Sequence, residues 1–323
     1  MPHAIRFHQT GGPEVLQWEE VAVGEPGPGE VRVRHRAIGV NFIDTYHRGG
    51  LYPLPLPSGL GREGAGIVEA VGAGVVHVQP GDRVAYGAGP LGAYSEVRCM
   101  PAERLIKLPE ALSFEVGAAM MLKGLTAAYL LRRTYPVKSG DTLLIHAAAG
   151  GVGLIACQWA KALGATVIGT VSTEAKAELA RKHGCDHVIL YTQEDVAKCV
   201  RQIVPAGVAV VYDGVGKSTF TASLDSLRPR GLLATFGNAS GAVPAFEPLL
   251  LSQKGSLFVT RPVLDHYTST REELEALCAE LFDVVLSGQV KVEIEQTYAL
   301  ADAAQAHRDL EARKTTGSTI LLP

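Results

Sequence analysis

The run from Thr142 to Gly153, TLLIHAAAGGVG, restricts the possible folds of this chain more than any other segment. An apolar strand pattern passes directly into a glycine-rich turn, and an apolar helical pattern over residues 152–163 follows. This order is typical of a dinucleotide-binding βαβ unit, in which glycines let the backbone approach a pyrophosphate at a helix start. Ala148 replaces the first glycine of the usual GxGxxG pattern, so a simple tight connection is the alternative. The predicted cofactor-binding residues of this turn are Ala148, Gly150, Gly151, Val152 and Gly153.

Composition narrows the class of protein. A chain of 323 residues is long enough for two domains, and its formal net charge of −3 gives no reason to expect a nucleic-acid or membrane partner. No apolar stretch of membrane-spanning length and no signal peptide is expected, so the cytoplasm is the predicted compartment. The five cysteines are scattered and none has CxxC spacing, which indicates neither a disulfide framework nor a structural zinc site.

The chain changes character near Ser113. Before it, short β-branched runs alternate with Pro/Gly turns, as in a compact antiparallel barrel; after it, strand and helix patterns alternate, as in a doubly wound parallel sheet. The last pieces are too few for a third domain. We therefore expect an α/β protein with a Rossmann nucleotide domain over residues 124–264 and a discontinuous β-rich catalytic domain over residues 1–123 and 265–323.

The end of the second strand of the βαβ unit indicates which nucleotide is bound. NAD sites usually place Asp or Glu there, but residues 170–173 read TVST, with Lys176 one helical turn later and Tyr191 at the end of the next strand. An absent acid with nearby donors suits a 2′-phosphate, so NADPH is the predicted cofactor. A solvated lysine and a strand-end tyrosine are the alternative. The predicted residues here are Ser172, Thr173, Lys176 and Tyr191.

Several long motifs resemble a known family along the whole chain. They are GPEVLQWEEVAV, GVNFIDTYHRGGLYP, GLGREGAGIVEAVGAGV, HAAAGGVGLIACQWAKALGA and GSLFVTRP. Together they are similar to the zinc-free, zeta-crystallin-like NADPH:quinone oxidoreductases of the medium-chain dehydrogenase/reductase superfamily, most of all to the bacterial ones. The resemblance implies a GroES-like fold for the β-rich domain and a two-domain cleft that holds cofactor and acceptor.

The zinc enzymes of this superfamily have different residues at two positions. Where they have Cys and a His in Gly-His-Glu, this chain has Asn41 and Arg62. Zinc needs thiolate or imidazole ligands in a tight tetrahedral set, and an amide and a guanidinium cannot supply them, so we expect no metal. The ten histidines show no ligand spacing, and His146 on the first strand of the unit is expected to be a hydrogen-bonded core residue.

Without a metal, hydrogen-bond donors must polarise the acceptor's carbonyl. The resemblance places Asn41, Tyr46 and Tyr52 around the nicotinamide and the quinone, and these are the predicted catalytic residues; Asn41 is also a predicted cofactor contact. An amide and two phenols can donate to a developing oxyanion and form an aromatic floor for a flat ring. The alternative for the tyrosines is a pair of surface-turn aromatics beside Pro53 and Pro55.

The resemblance also implies weaker contacts with the cofactor. Arg313 resembles a basic residue that approaches the 2′-phosphate, although a surface arginine would look the same. The other positions match a helix bordering the cofactor cleft and the carboxyl end of a strand, where α/β folds bind ligands. They are Thr126, Tyr129, Phe236 and Asn238.

The implied activity is NADPH-dependent reduction of a quinone. Reduction of an activated C=C bond in an enone or enoyl thioester is the alternative within the same enzyme class. A role as an RNA-binding or structural crystallin-like protein is the alternative of another class, disfavoured by a pI near 6.4 and few aromatic residues. We expect a homodimer, with the apolar run over residues 255–263 as its edge strand.

Overall fold

The computed structural model describes all residues from 1 to 323. The chain divides into two compact units: one comprises residues 1–125, 268–282 and 292–323, and the other comprises residues 126–267 and 283–291. The short segment 283–291 thus belongs to the second unit. The predicted domain limits at residues 123/124 and 264/265 stay a prediction.

Sixteen strands are present, and in chain order they are β1 (His3–Phe7), β2 (Gln17–Glu20), β3 (Glu30–Val40), β4 (Ser58–Gly59), β5 (Gly64–Val71), β6 (Arg83–Tyr86), β7 (Val97–Pro101), β8 (Ile106–Lys107), β9 (Thr142–Ile145), β10 (Thr166–Val171), β11 (His187–Leu190), β12 (Val208–Asp213), β13 (Leu227–Thr235), β14 (Phe258–Thr260), β15 (Ile294–Ala299) and β16 (Ser318–Leu322). The α-helices are α1 (Phe42–Arg48), α2 (Phe114–Tyr129), α3 (Gly151–Ala162), α4 (Glu174–Lys182), α5 (Val196–Ile203), α6 (Phe220–Ser226), α7 (Leu249–Gln253), α8 (Leu264–Tyr267), α9 (Arg271–Leu286) and α10 (Ala303–Glu311). Short 3₁₀ turns and one π-helical turn, Leu130–Thr134, complete the regular structure.

The nucleotide unit is a doubly wound α/β fold, as the sequence predicts. Its six parallel strands lie in the order β11-β10-β9-β12-β13-β14, so β9 is central and the winding direction reverses beside it. Ligands of such sheets bind at this reversal, beyond the carboxyl ends of the strands. All six residues of β12 are buried, because helices cover both faces of a parallel sheet.

The β-rich unit contains a seven-stranded sheet and a three-stranded sheet. The larger sheet runs in the order β15-β16-β3-β5-β6-β8, with β7 also paired to β3, and only the β15–β16 pair in it is parallel. β3 alternates buried and solvent-facing residues over its first seven positions. This alternation places its apolar residues in a core with Phe7, Val68, Tyr94 and Met100.

One sequence expectation is wrong. The segment Phe114–Thr134, α2 with its π-helical continuation, is long and apolar enough to cross a membrane by length and composition, although no such stretch was expected. Most of it is buried inside the protein, as is usual for a core helix. Glycine permits close packing along α2: a Cβ on Gly124 would lie 2.6 Å from a methyl group of Leu281.

Candidate functional site

The glycine-rich turn joins the carboxyl end of β9 to the start of α3. Gly150 is the N-cap of α3, and Ala147 adopts a left-handed φ of 53° that begins the turn. A Cβ on Gly153 would lie only 2.3 Å from the Ala147 carbonyl oxygen, so this position requires glycine. The Ala148 N–H donates to the Thr170 carbonyl at 3.1 Å and ties the turn to β10. The first N–H groups of α3 therefore face the edge of the sheet where an anion can bind.

The next two strands end side by side at the same edge. The Tyr191 N–H donates to the Val171 carbonyl at 3.2 Å, which places Tyr191 next to Ser172. Thr173 caps α4 by accepting the Lys176 N–H at 3.4 Å. The structure thus brings together the four residues predicted for the 2′-phosphate.

The acid nearest this corner in sequence is Glu174. Its carboxylate accepts from Arg181 at 2.7 Å, about two helical turns further along α4. Both residues are exposed, so this ion pair contributes little to stability. The pair lies along a face of α4 and not at the end of β10. The residues that follow β10 directly carry only hydroxyl groups.

The carboxyl end of β13 carries two more predicted residues. The Phe236 N–H donates to the Asp213 carbonyl at 2.8 Å, and Asn238 follows in the loop, half-buried. Thr235 precedes them, and its buried hydroxyl oxygen has no hydrogen-bond partner. A buried orphan hydroxyl at a strand end is a group that a ligand can satisfy. Sequence reasoning missed Thr235, although the strand-end rule that selected Phe236 also covers it.

The last part of α2 holds the remaining predicted cofactor residues of this unit. Tyr129 stacks on Tyr267 with ring centroids 4.6 Å apart and planes 10° from parallel. Its hydroxyl is hydrogen-bonded to Thr126, and burial raises the pKa of Tyr129 well above its ordinary value. The phenol is therefore neutral and fixed in place.

A buried network lies beneath the glycine-rich turn. His146 contacts the hydroxyls of Thr170 at 2.9 Å and Ser223 at 3.0 Å, and Ser223 donates to Asp213 at 2.8 Å. Because Ser223 uses its proton on Asp213, it must accept from His146, whose other nitrogen accepts from Thr170. Burial also lowers the pKa of His146. The prediction that His146 is a hydrogen-bonded core residue is confirmed.

In the β-rich unit, Asn41 is the N-cap of α1 and is 4% exposed. Its amide nitrogen donates to Glu63 Oε2 at 2.8 Å, and the Lys123 ammonium lies 2.9 Å from the same oxygen. The Leu122 N–H donates to Glu63 Oε1 at 2.7 Å. The sequence predicts that the Asn41 amide donates to a substrate oxygen, whereas in the structure its nitrogen donates to Glu63.

The two predicted catalytic tyrosines lie together. Tyr46, on α1, is 9% exposed and meets Tyr52 edge to face, with centroids 5.5 Å apart. Tyr52 is half-buried, and His47 packs against its other side at 5.6 Å. Burial and the charge of Arg62 lower the pKa of His47, which favours its neutral form. Since Tyr46 is buried, it is not a surface-turn aromatic.

A hydrogen-bond chain supports α1 from below. Tyr94 donates to Asp44 Oδ2 at 2.9 Å, and His307 lies 3.1 Å from the Tyr94 oxygen. Arg48 donates to the other nitrogen of His307 at 2.9 Å, so His307 is neutral and donates to Tyr94. Burial and Arg48 lower the pKa of His307 to about 3, while burial raises the pKa of Asp44 to about 7.

Arg313 belongs to the β-rich unit. It follows α10, adopts a left-handed φ of 58° and is exposed. Its N–H donates to the Leu310 carbonyl at 3.1 Å, which closes the last turn of the helix. Its predicted contact with a 2′-phosphate stays a prediction.

Known proteins match both parts of the chain. An alcohol dehydrogenase GroES-like domain model matches residues 27–110, and a zinc-binding dehydrogenase model matches residues 151–283. A quinone oxidoreductase from Pseudomonas aeruginosa is 58% identical over 100% of both chains. The crystal structure of Escherichia coli quinone oxidoreductase complexed with NADPH is 54% identical, covers 99% of this chain and 100% of its own, and has a TM-score of 0.98.

The chain belongs to the quinone oxidoreductase family. It is thus an oxidoreductase of the medium-chain dehydrogenase/reductase superfamily, as its motifs predict. A 2-haloacrylate reductase from Burkholderia sp. is also 52% identical over 100% of this chain and 99% of its own.

Within this quinone oxidoreductase fold, the residues at the zinc positions have other partners. Arg62 lies close enough to His47 to influence its charge, and Glu63 is committed to Lys123 and Asn41. No group of three or more His, Cys, Asp or Glu is placed to hold a metal ion. Sequence reasoning missed Lys123 and Asp44, because neither shows its burial or its partners in the linear pattern.

Proposed function

We propose that the protein reduces quinones with NADPH. The observation that carries this proposal is the corner formed by Ser172, Thr173, Lys176 and Tyr191. Hydroxyls and an ammonium follow a strand here, whereas the corresponding strand of an NAD-binding Rossmann fold usually ends in an acid. The 54% identical relative whose structure is complexed with NADPH supports the same cofactor. The glycine-rich turn, the start of α3 and the buried Thr235 hydroxyl fit the rest of a dinucleotide.

NADPH supplies a hydride when bound. The protein binds and orients the cofactor and the acceptor and keeps competing reactions away from them. In our proposal Lys176 and Tyr191 contact the 2′-phosphate, and Arg313 adds a second positive charge there. Tyr46 and Tyr52 pack against the flat acceptor and donate hydrogen bonds to its oxygen as negative charge develops. A hydroquinone oxygen can take its proton from water, so neither tyrosine needs to be the sole proton donor.

An acceptor screen tests the proposal. NADPH and NADH are each oxidised in the presence of a quinone series, with and without prior dialysis against a metal chelator. We expect quinone-dependent oxidation of NADPH that is faster than that of NADH and unchanged by the chelator. Equal rates with both coenzymes would contradict the preference for NADPH. Loss of activity after treatment with the chelator would contradict the metal-free chemistry.

Reduction of an activated C=C bond is the second candidate. The relative named 2-haloacrylate reductase favours it, because the identity of that relative is almost as high as that of the quinone oxidoreductases. Steady-state rates with a 2-haloacrylate, an enone and an enoyl thioester, set beside those with a quinone, separate the two. A kcat/KM for an alkene that exceeds every quinone's would replace the first candidate by the second.

The proposed assembly is a homodimer in the cytoplasm. β14 is the last strand of the six-stranded sheet, and Phe258 on it is 61% exposed. An edge strand with an exposed aromatic residue is suited to pairing with a second copy. Apart from that copy, we expect only small-molecule partners, with neither nucleic acid nor membrane.

A further inference from the structure

Glu63 accepts hydrogen bonds from three other residues in a fully buried position. The carboxylate is 0% exposed, and the Asn41 amide, the Lys123 ammonium and the Leu122 N–H all donate to it within 2.9 Å. It lies directly over Gly39: a Cβ on that glycine would be 2.1 Å from Glu63 Oε2. The glycine at the end of β3 therefore leaves the space that this carboxylate fills.

The chemistry of this cluster fixes which way the Asn41 amide faces. An ionised carboxylate only accepts hydrogen bonds, so the side of the amide turned to Glu63 must be its NH₂ group. The second N–H of that group points to the Gly39 carbonyl, 3.5 Å away. The oxygen lies on the opposite side, toward the first turn of α1, where Asn41 and Asp44 form a capping box. A carbonyl oxygen has two lone pairs, so one remains for another partner.

We propose that Glu63 and Lys123 are positioning residues that make Asn41 present an acceptor, not a donor, to the bound ligand. The group recognised is then a neutral N–H or O–H donor on a flat ring: the carboxamide of the nicotinamide or a hydroxyl of the hydroquinone product. This inference rests on the proposed function, because it places Asn41 beside the reacting rings. Lys123 acts only through Glu63, since its ammonium is itself buried against the carboxylate.

The double variant Glu63→Gln/Lys123→Met tests this. It removes both charges together, which avoids an unpaired buried ion. Glutamine can accept the Leu122 N–H with its oxygen and turn its NH₂ toward Asn41, so the Asn41 amide is expected to rotate and present its nitrogen. Glu63→Asp is the second variant: it keeps a charge beside Lys123 but withdraws the carboxylate by one methylene from Asn41.

Two pairs of ligands measure the result. The first is NADPH against its 3-acetylpyridine analogue, which keeps a carbonyl but lacks the N–H donor; the second is a hydroquinone against its dimethyl ether. The parent should bind the donor-bearing member of one pair about tenfold more tightly, and both variants should lose that preference. Whichever pair shows it identifies the group. Binding of 2′,5′-ADP, which lacks both rings, should not change.

Preferences that persist unchanged in both variants would overturn the inference while leaving the proposed function intact. A parent that binds no NADPH would instead contradict the proposed function. A ligand-free readout separates the two further: the Asn41 side-chain amide protons should exchange slowly in the parent and faster in Glu63→Asp. Equal exchange in both proteins would contradict the role of Glu63 in holding the amide.

Discussion

The methyl group of Ala148 lies directly over the backbone of Gly169 on the neighbouring strand. A Cβ at residue 169 would be 2.7 Å from the Ala148 Cβ and equally close to the Cys185 sulfur. The replacement of the first glycine of the GxGxxG pattern is thus accommodated by a glycine in β10. Ala148 keeps an ordinary negative φ, because Ala147 takes the left-handed conformation that the turn needs.

Gly169→Ala should therefore destabilise the nucleotide unit by about 1–3 kcal/mol, since the added methyl overpacks the contact. Ala148→Gly should restore part of that loss in the double variant, because it removes one of the two clashing groups. Urea unfolding of the parent, both single variants and the double variant measures the coupling. Strictly additive effects would show that the two residues do not share this space.

Lys176→Ala should weaken NADPH binding about tenfold or more and leave NADH binding nearly unchanged, because a hydrogen bond to a charged group contributes roughly 1.5–3 kcal/mol. Lys182→Ala, an exposed lysine in the last turn of the same helix, is the matched control. Calorimetric titration with both coenzymes provides the measurement. An unchanged NADPH-to-NADH preference would remove Lys176 from the phosphate site.

Tyr52→Phe should lower kcat/KM for a quinone by about tenfold, equivalent to roughly 1.4 kcal/mol of transition-state stabilisation, while NADPH affinity stays constant. The ring contact with Tyr46 at 5.5 Å survives this change, so the hydroxyl alone is tested. Tyr298→Phe, on β15, removes a hydroxyl bonded to Asp309 and serves as control. Identical kinetics for the parent and Tyr52→Phe would argue against hydrogen bonding from this phenol.

Asp44 should make the protein less stable as the pH rises. Burial raises its folded-state pKa from 3.8 to about 7, so the folded state holds the proton more tightly than the unfolded chain. Its contribution to the free energy of unfolding is constant below about pH 4 and again above about pH 7. Between these two values the contribution falls as the pH rises, by roughly 4 kcal/mol in total.

The difference between the parent and Asp44→Asn isolates this effect. Buried His35 and His307, whose pKa values are lowered to about 4 and about 3, oppose it: their contributions to stability are lost as the pH falls below 6.5. Because both histidines are present in each protein, their effects cancel in the difference. Urea unfolding from pH 4.5 to 8 should give a difference that favours the variant increasingly with pH. A flat difference would contradict the raised pKa.

Phe258→Lys should convert the proposed dimer to a monomer, because a charge on the edge strand opposes strand pairing. Val76→Lys is the control, since Val76 is 91% exposed in the loop between β5 and β6 of the β-rich unit. Sedimentation velocity at micromolar concentration distinguishes the two states. A monomeric parent, or a dimer that survives Phe258→Lys, would contradict β14 as the interface.

Strong local periodicity made much of the fold predictable. β11 and β12 consist mainly of apolar residues, and α9 buries apolar residues at helical spacing, among them Leu274, Leu277 and Leu281. β13 was harder: it begins at Leu227, which pairs with Val208, while the exposed residues Arg228 to Arg230 lie in an irregularity before the apolar run that starts at Leu232. Pairing with neighbours, not hydropathy, sets that boundary.

The sequence by itself determined the family and the residues that meet at the nucleotide corner. The strand, turn and helix of a βαβ unit are contiguous in the chain, so the spacing of their residues decides which of them become neighbours. Tertiary structure alone decided which groups became buried partners. Glu63 and Lys123 are 60 residues apart, and Arg48 and His307 are 259 apart, so no local sequence pattern predicts these two contacts. Desolvation and hydrogen-bond direction depend on those long-range contacts, and they set the orientation of Asn41 and the proton affinity of Asp44.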